Sequence, residues 1–336
     1  MARASTRASN DSTGTTPDPA AAGATRAEVI PLDHGRRRPR SYAGISVTSA
    51  SAPIEEFRSQ FGRGVRRVLA GTTEVPQRSA SFEDDPGLFG PGSATFEVHA
   101  DASMIIGGLR ALLLQTMHPL TMAGVADHSN YRTDPLGRLH RTGGFIGTTT
   151  FGTTDDAERA IEIVRTVHEH VRGTAPDGRP YRATDPHLLQ FVHCTEVDSF
   201  LRARERYGAS PLSPGAADRY VEEMAVVAEK LGVRRAPRSR SDLAAVLAGY
   251  RPEHHIGRQA RDTVRFLAWP PLPLVTRPAY GLAFAAAASM LPRFARRELR
   301  LPLAPLAEPL AIRPATTALM RSLGWALGDH PSSPET

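Results

Sequence analysis

The chain has 336 residues, enough for one large domain or two small ones with a substantial core. Its formal charge is +6, yet Lys230 is the only lysine among 41 basic residues. The arginines are scattered and lack aromatic interleaving, so the composition reads as GC-rich coding and no nucleic-acid partner is expected.

Cys194 is the single cysteine, which excludes an intrachain disulfide and suits a reducing compartment. No apolar run reaches the roughly 20 residues of a membrane span, and the N-terminus has no apolar signal core. Arg36-Arg37-Arg38 is followed by a segment too polar for a twin-arginine signal. The expectation is a soluble, cytoplasmic protein.

Residues 1–50 are rich in Ala, Ser, Thr, Gly and Arg without periodicity, the composition of a disordered tail. An all-helical domain is expected over 51–330. Phe57, Phe61, Val65 and Val68 predict a short helix within Glu55–Leu69. From about Ser93 to Met117, Ile105, Leu109, Leu112 and Thr116 form one stripe, widened by Ile106, Leu113 and Met117, of a mostly buried helix. Gly107-Gly108 in its middle costs about 1 kcal/mol per glycine relative to Ala, and implies either close helix packing or room for a flat ligand. Pro119 disfavours helical geometry at His118, which reads as a cap, a hydrogen-bonded histidine or a ligand.

Asp127–Phe145 is polar and turn-rich, a long functional or covering loop. If Leu136–Thr142 coils, Arg138 and Thr142 lie one turn apart and converge; the alternative is a surface loop with solvated arginines. Asp155–Arg172 is expected to be a helix, opened by "TTDD" and stopped by Gly173. At roughly 100° per residue, Ala157, Ile161, Val164, His168 and Val171 share one face, so His168 points inward and His170 away. A buried imidazole needs a hydrogen bond or a metal.

Tyr181 sits in a short extended piece. Thr184-Asp185-Pro186 supplies a cap and a proline at the first helical position, starting a helix from His187 to about Tyr207. His193 and Glu196 on it are three residues apart, a spacing shared by buried hydrogen bonds and by helix-bundle di-metal sites, although the carboxylate set of the latter is incomplete. Further helices are expected at Ala216–Leu231, Asp242–Tyr250, Arg258–Trp269, Tyr280–Leu291 and Thr316–Leu327. "RFARREL" at 293–299 hints at peripheral membrane contact. There is no P-loop, dinucleotide fingerprint, G-x-S-x-G elbow or H-E-x-x-H motif, which argues against nucleotide, phosphate and serine-hydrolase chemistry. The fold class is all-α, a single large helical domain with globin-like helix packing.

The blocks "ADASMIIGGLRALLLQTMHPLTMAGV", "RLHRT", "FGT", "VHEHVRG", "PYRATDPHLLQFVH" and "DSF", in that order from about Gly87 to Leu301, resemble the MpaB-type/rubber-oxygenase catalytic-domain family. The resemblance implies an all-α domain binding haem b, its iron held by a histidine of the core helix. An arginine and a threonine four residues apart lie near that haem, and an adjacent lysine can take the distal position. Carried over by motif, the proximal ligand is His168 and the Arg/Thr pair is Arg138 and Thr142. The lysine position falls on Arg141, whose guanidinium is a poor iron ligand, which weakens any carry-over of polyisoprene cleavage.

The resulting expectation is a haem b-dependent oxygenase or oxidoreductase acting with O₂ on a small apolar, terpenoid- or lipid-like molecule. His168 would be the axial ligand, with Arg138, Arg141, Thr142 and His140 at the propionates or the bound oxygen. His118 and His193 are further cofactor-binding candidates. The alternatives are a haem sensor or carrier without turnover, a non-haem metalloenzyme using His118, His168, His193 and Glu196, and a haemless helical scaffold.

Overall fold

Ser93 opens the first helix of the described residues, α1 (Ala94–His99), its hydroxyl accepting from the Phe96 N–H at 3.1 Å. This is a computed structural model that describes residues 85–327. The tail at 1–50 and the helix expected at Glu55–Leu69 lie outside the described residues. The one long helix expected from Ser93 to Met117 is two. The Asp101 carboxylate accepts from the Ser103 N–H at 2.8 Å, and this local bond competes with the helical ladder between α1 and α2 (Met104–Gln115).

Helix α2 lies against α6 (Pro186–Tyr207) and forms the centre of the fold. Ile106 and Leu113 of α2, and Phe191, Val197 and Leu201 of α6, are buried. A Cβ at position 107 would fall 2.6 Å from Phe200 Cδ1 and 3.1 Å from the Ser199 carbonyl oxygen, so Gly107 serves close helix packing. Arg110 and Asp198 form an ion pair across the same seam at 2.8 Å, and the guanidinium also donates to Ser199 Oγ at 2.7 Å and to the Met290 carbonyl at 3.2 Å. Cys194 is buried beside it, and burial pushes its thiol up to about 12.

His118 is extended, as the following proline requires, and caps α3 (Pro119–His128) by accepting from the Thr121 N–H at 3.4 Å. The long loop expected over Asp127–Phe145 is instead helical from its ninth residue: α4 spans Pro135–Phe151. Asp134 accepts from the Gly137 N–H at 2.9 Å and Pro135 occupies the first position, a start strong enough to carry the chain through Gly143-Gly144. Packing of α4 on α5 (Thr154–His170) supplies what propensity lacks. Helix α5 ends two residues earlier than expected because Arg172–Thr174 pairs as β1 with β2 (Pro180–Arg182), in the register Gly173 opposite Tyr181.

Helix α7 (Ala216–Leu231) is bracketed by left-handed glycines, Gly215 at φ 72° and Gly232 at φ 108°. Helices α8 (Arg240–Gly249), α9 (Arg258–Ala268), α10 (Arg277–Ser289), α11 (Arg293–Glu298) and α12 (Arg313–Leu327) complete an all-α fold. Among the described residues, no helix is long and apolar enough to cross a membrane. Within "RFARREL", Arg296 turns inward to Glu308, whereas the exposed apolar side chains lie elsewhere, at Trp269, Leu274, Val275, Leu306 and Leu310.

Candidate functional site

Five helices line a cavity of about 80 Å³ with His168 in its wall. Helix α5 contributes His168 near its C-terminus, α6 contributes Leu189, Val192, His193, Glu196 and Phe200, and α7 contributes Met224, Val227, Ala228 and Leu231. Phe145, Ile146 and Thr149 of α4 and His99 of α1 close the remaining sides. The amphipathic period explains the set: on α6, positions 189, 192, 193, 196 and 200 recur at threes and fours and face the same way.

The polar groups of the cavity fall into two kinds. His99 is fully engaged, with Nδ1 2.8 Å from Thr150 Oγ1 and Nε2 2.8 Å from the Tyr220 hydroxyl. Burial lowers its pKa to about 3, so it is a neutral structural strut. His168 Nδ1 and His193 Nε2, in contrast, are buried without any hydrogen-bond partner. Burial depresses both imidazoles, His193 to about 4, which keeps their lone pairs free of protons at neutral pH. The Glu196 carboxyl is pushed up to about 7 by the same desolvation. Two neutral imidazoles and a carboxyl poised near neutrality, in a chamber lined mostly by apolar side chains, are suited to a metal or metallocofactor and to proton handling.

The residues at the start of α4 sit differently. Arg138 is desolvated and donates to Ser129 Oγ, Arg141 is exposed and pairs with Asp134 at 3.3 Å, and Thr142 is exposed. None of the three lines the cavity. They are joined to it by helical register, because 138, 142, 145 and 149 fall on one stripe of α4 whose last two members do line it. Gly143, Gly144 and Gly147 have open space where a Cβ would stand.

His118 is not part of this chamber. Its Nε2 lies 3.2 Å from Glu253, which His187 Nε2 approaches at 2.9 Å. Among the described residues, these three are the only His, Cys, Asp or Glu group whose ligand atoms all lie within 4.8 Å of one another. A four-residue non-haem set of His118, His168, His193 and Glu196 is therefore corrected: the structure separates His118 from the other three, which share the cavity without converging to that distance. His99, missed by sequence reasoning, carried a weak signal only, since nothing in "FEVHADAS" ties it to Thr150 and Tyr220.

A model of the family described as ER-bound oxygenase mpaB/B′/rubber oxygenase, catalytic domain, matches residues 96–325. No curated protein and no solved structure matches the chain.

Proposed function

Because the chain belongs to the mpaB/rubber-oxygenase catalytic-domain family, a family of oxygenases, we propose that it is a haem b-dependent oxygenase with His168 as the axial ligand. The observation that carries this reading is the buried, partnerless Nδ1 of His168 in a mostly apolar chamber. A buried ring nitrogen without a hydrogen-bond partner is costly unless a ligand satisfies it. The donor chemistry therefore fits an iron porphyrin. The volume of about 80 Å³ is far below the roughly 300–1,000 Å³ of ligand pockets, so loading would need the wall to open, and we assign that movement to α4. That helix carries open-sided Gly143, Gly144 and Gly147.

Bound there, haem supplies the O₂ chemistry; the protein supplies the electronics and the surroundings. His168 would hold the iron through a ring nitrogen. Arg138, with Arg141, Thr142 and His140 on the same helix, would supply cationic and hydroxyl partners for propionates reaching beyond the cavity. By the family resemblance Arg141 would fall at the position of a distal lysine, where an always-charged guanidinium would be a poor iron ligand. Leu189, Val192, Val227 and Leu231 exclude water and favour a small apolar substrate of terpenoid or lipid type. Glu196 holds its proton near neutral pH and is the group able to donate or accept one inside the chamber.

The test is the absorption spectrum of protein expressed with haem supply, oxidised and reduced, beside His168→Ala. A Soret band that shifts on reduction and disappears in the folded variant is expected. A folded wild-type protein with no Soret band, or a variant retaining full haem, overturns the reading.

A further inference from the structure

We propose that His118, His187 and Glu253 form a binding site for a first-row divalent cation of the zinc class, separate from the His168 cavity. The three come from distant parts of the chain: His118 caps α3, His187 is the second residue of α6, and Glu253 ends a 3₁₀ turn after α8. Glu253 is 66 residues from His187 and 135 from His118.

The geometry brings the three side chains to one point. His187 Nε2 lies 2.9 Å from both Glu253 oxygens, and His118 Nε2 lies 3.2 Å from one of them. One ligand atom from each residue lies within 4.8 Å of the other two. The Tyr250 hydroxyl stands 3.3 Å from His187 Nδ1, so the ring's other nitrogen has an outer partner, as in metal-bound histidines. A divalent cation at that point would take both ring nitrogens and the carboxylate.

The ligand type selects the metal. Two imidazoles and one carboxylate form the donor set of His₂Glu zinc sites and of two-histidine, one-carboxylate centres, and they disfavour Mg²⁺ and Ca²⁺, which take oxygen. The His118 side chain is fully buried, while His187 and Glu253 are 50 % and 35 % exposed, so protein holds one side and water completes the other. Ligation through His118 Nε2 gives up its long capping bond to Thr121, and Arg179 is the nearby charge that opposes the cation. The consequence of binding is mechanical. The metal clamps the N-terminus of α6, the helix that delivers His193 and Glu196 to the chamber.

The test is equilibrium dialysis of the full-length protein, stripped by chelator, against Co²⁺ with metal counted by elemental analysis. One Co²⁺ per chain is expected, displaced by Zn²⁺ but not by Mg²⁺. Second-layer partners of a metal cost about 10–100-fold in affinity, so losing a direct ligand in His187→Ala or Glu253→Gln weakens binding by at least about 100-fold. His168→Ala leaves it unchanged. Absence of saturable uptake, uptake unaltered in folded His187→Ala and Glu253→Gln, or uptake lost in His168→Ala overturns the proposal.

Discussion

Gly107 and Phe200 are in contact so close that no side chain fits between them: a Cβ at 107 would stand 3.0 Å from the Phe200 Cα as well as 2.6 Å from its ring. Phe200 also lines the His168 cavity, so the α2–α6 seam and the chamber share a wall. Gly107→Ala is expected to destabilise by about 1–3 kcal/mol through overpacking, despite the helix-propensity gain. Gly108→Ala, whose Cβ meets only Phe200 Cε1 at 3.9 Å, is expected to stabilise by up to about 1 kcal/mol. Denaturant midpoints of the two variants should move in opposite directions; equal shifts would contradict the packing.

Asp198→Ala is expected to cost about 3–5 kcal/mol, because it leaves the Arg110 guanidinium buried without its counter-charge. Ser199 and the Met290 carbonyl remain but carry no charge. Urea unfolding measures this, and a loss under about 1 kcal/mol would show that the pair is not electrostatically important.

Glu196 makes the cofactor-free protein pH-sensitive in a definite direction. Its folded pKa, about 7, lies above the ordinary 4.5, so its contribution is fully present below pH 4.5 and is lost as pH rises through about 7. His193, depressed to about 4, acts oppositely and loses its contribution as pH falls from 6.5 toward 4. Glu196→Gln removes only the first effect. Relative to wild type it should gain on the order of 1–3 kcal/mol between pH 4.5 and 8, read from melts at both pH values. A pH-independent difference would mean that the carboxyl is not desolvated.

If haem enters beneath α4, that helix is the part of the fold whose dynamics change most. Amide exchange over Pro135–Phe151 should slow on haem loading, while α2 and the body of α6 stay as protected as before. Unchanged exchange in α4 would place the cofactor elsewhere.

Local signals account for what was legible in the sequence. Helix α6 is announced by Asp185-Pro186, and His168 by its place among Ala157 and Ile161, because caps and 3.6-residue periods need no knowledge of the rest of the chain. Helix α4 was hidden because "GGFIGTTTF" is poor in helix formers, and the helix depends on a cap nine residues upstream of Gly143 and on packing against α5. The meeting of His118, His187 and Glu253 was illegible for a different reason. Their separations carry no periodic trace, and only the docking of α8 and its 3₁₀ turn on α6 brings Glu253 into reach.

The lone thiol at the centre of α6 has one more implication. With its pKa raised to about 12, Cys194 is essentially never thiolate at neutral pH, and no reagent or peroxide reaches it in the closed fold. The protein therefore contains a clock for its own opening: the rate at which a thiol reagent labels Cys194 counts how often the core that α6 shares with α1, α7 and α8 comes apart. It does so with one reactive atom and no engineered probe.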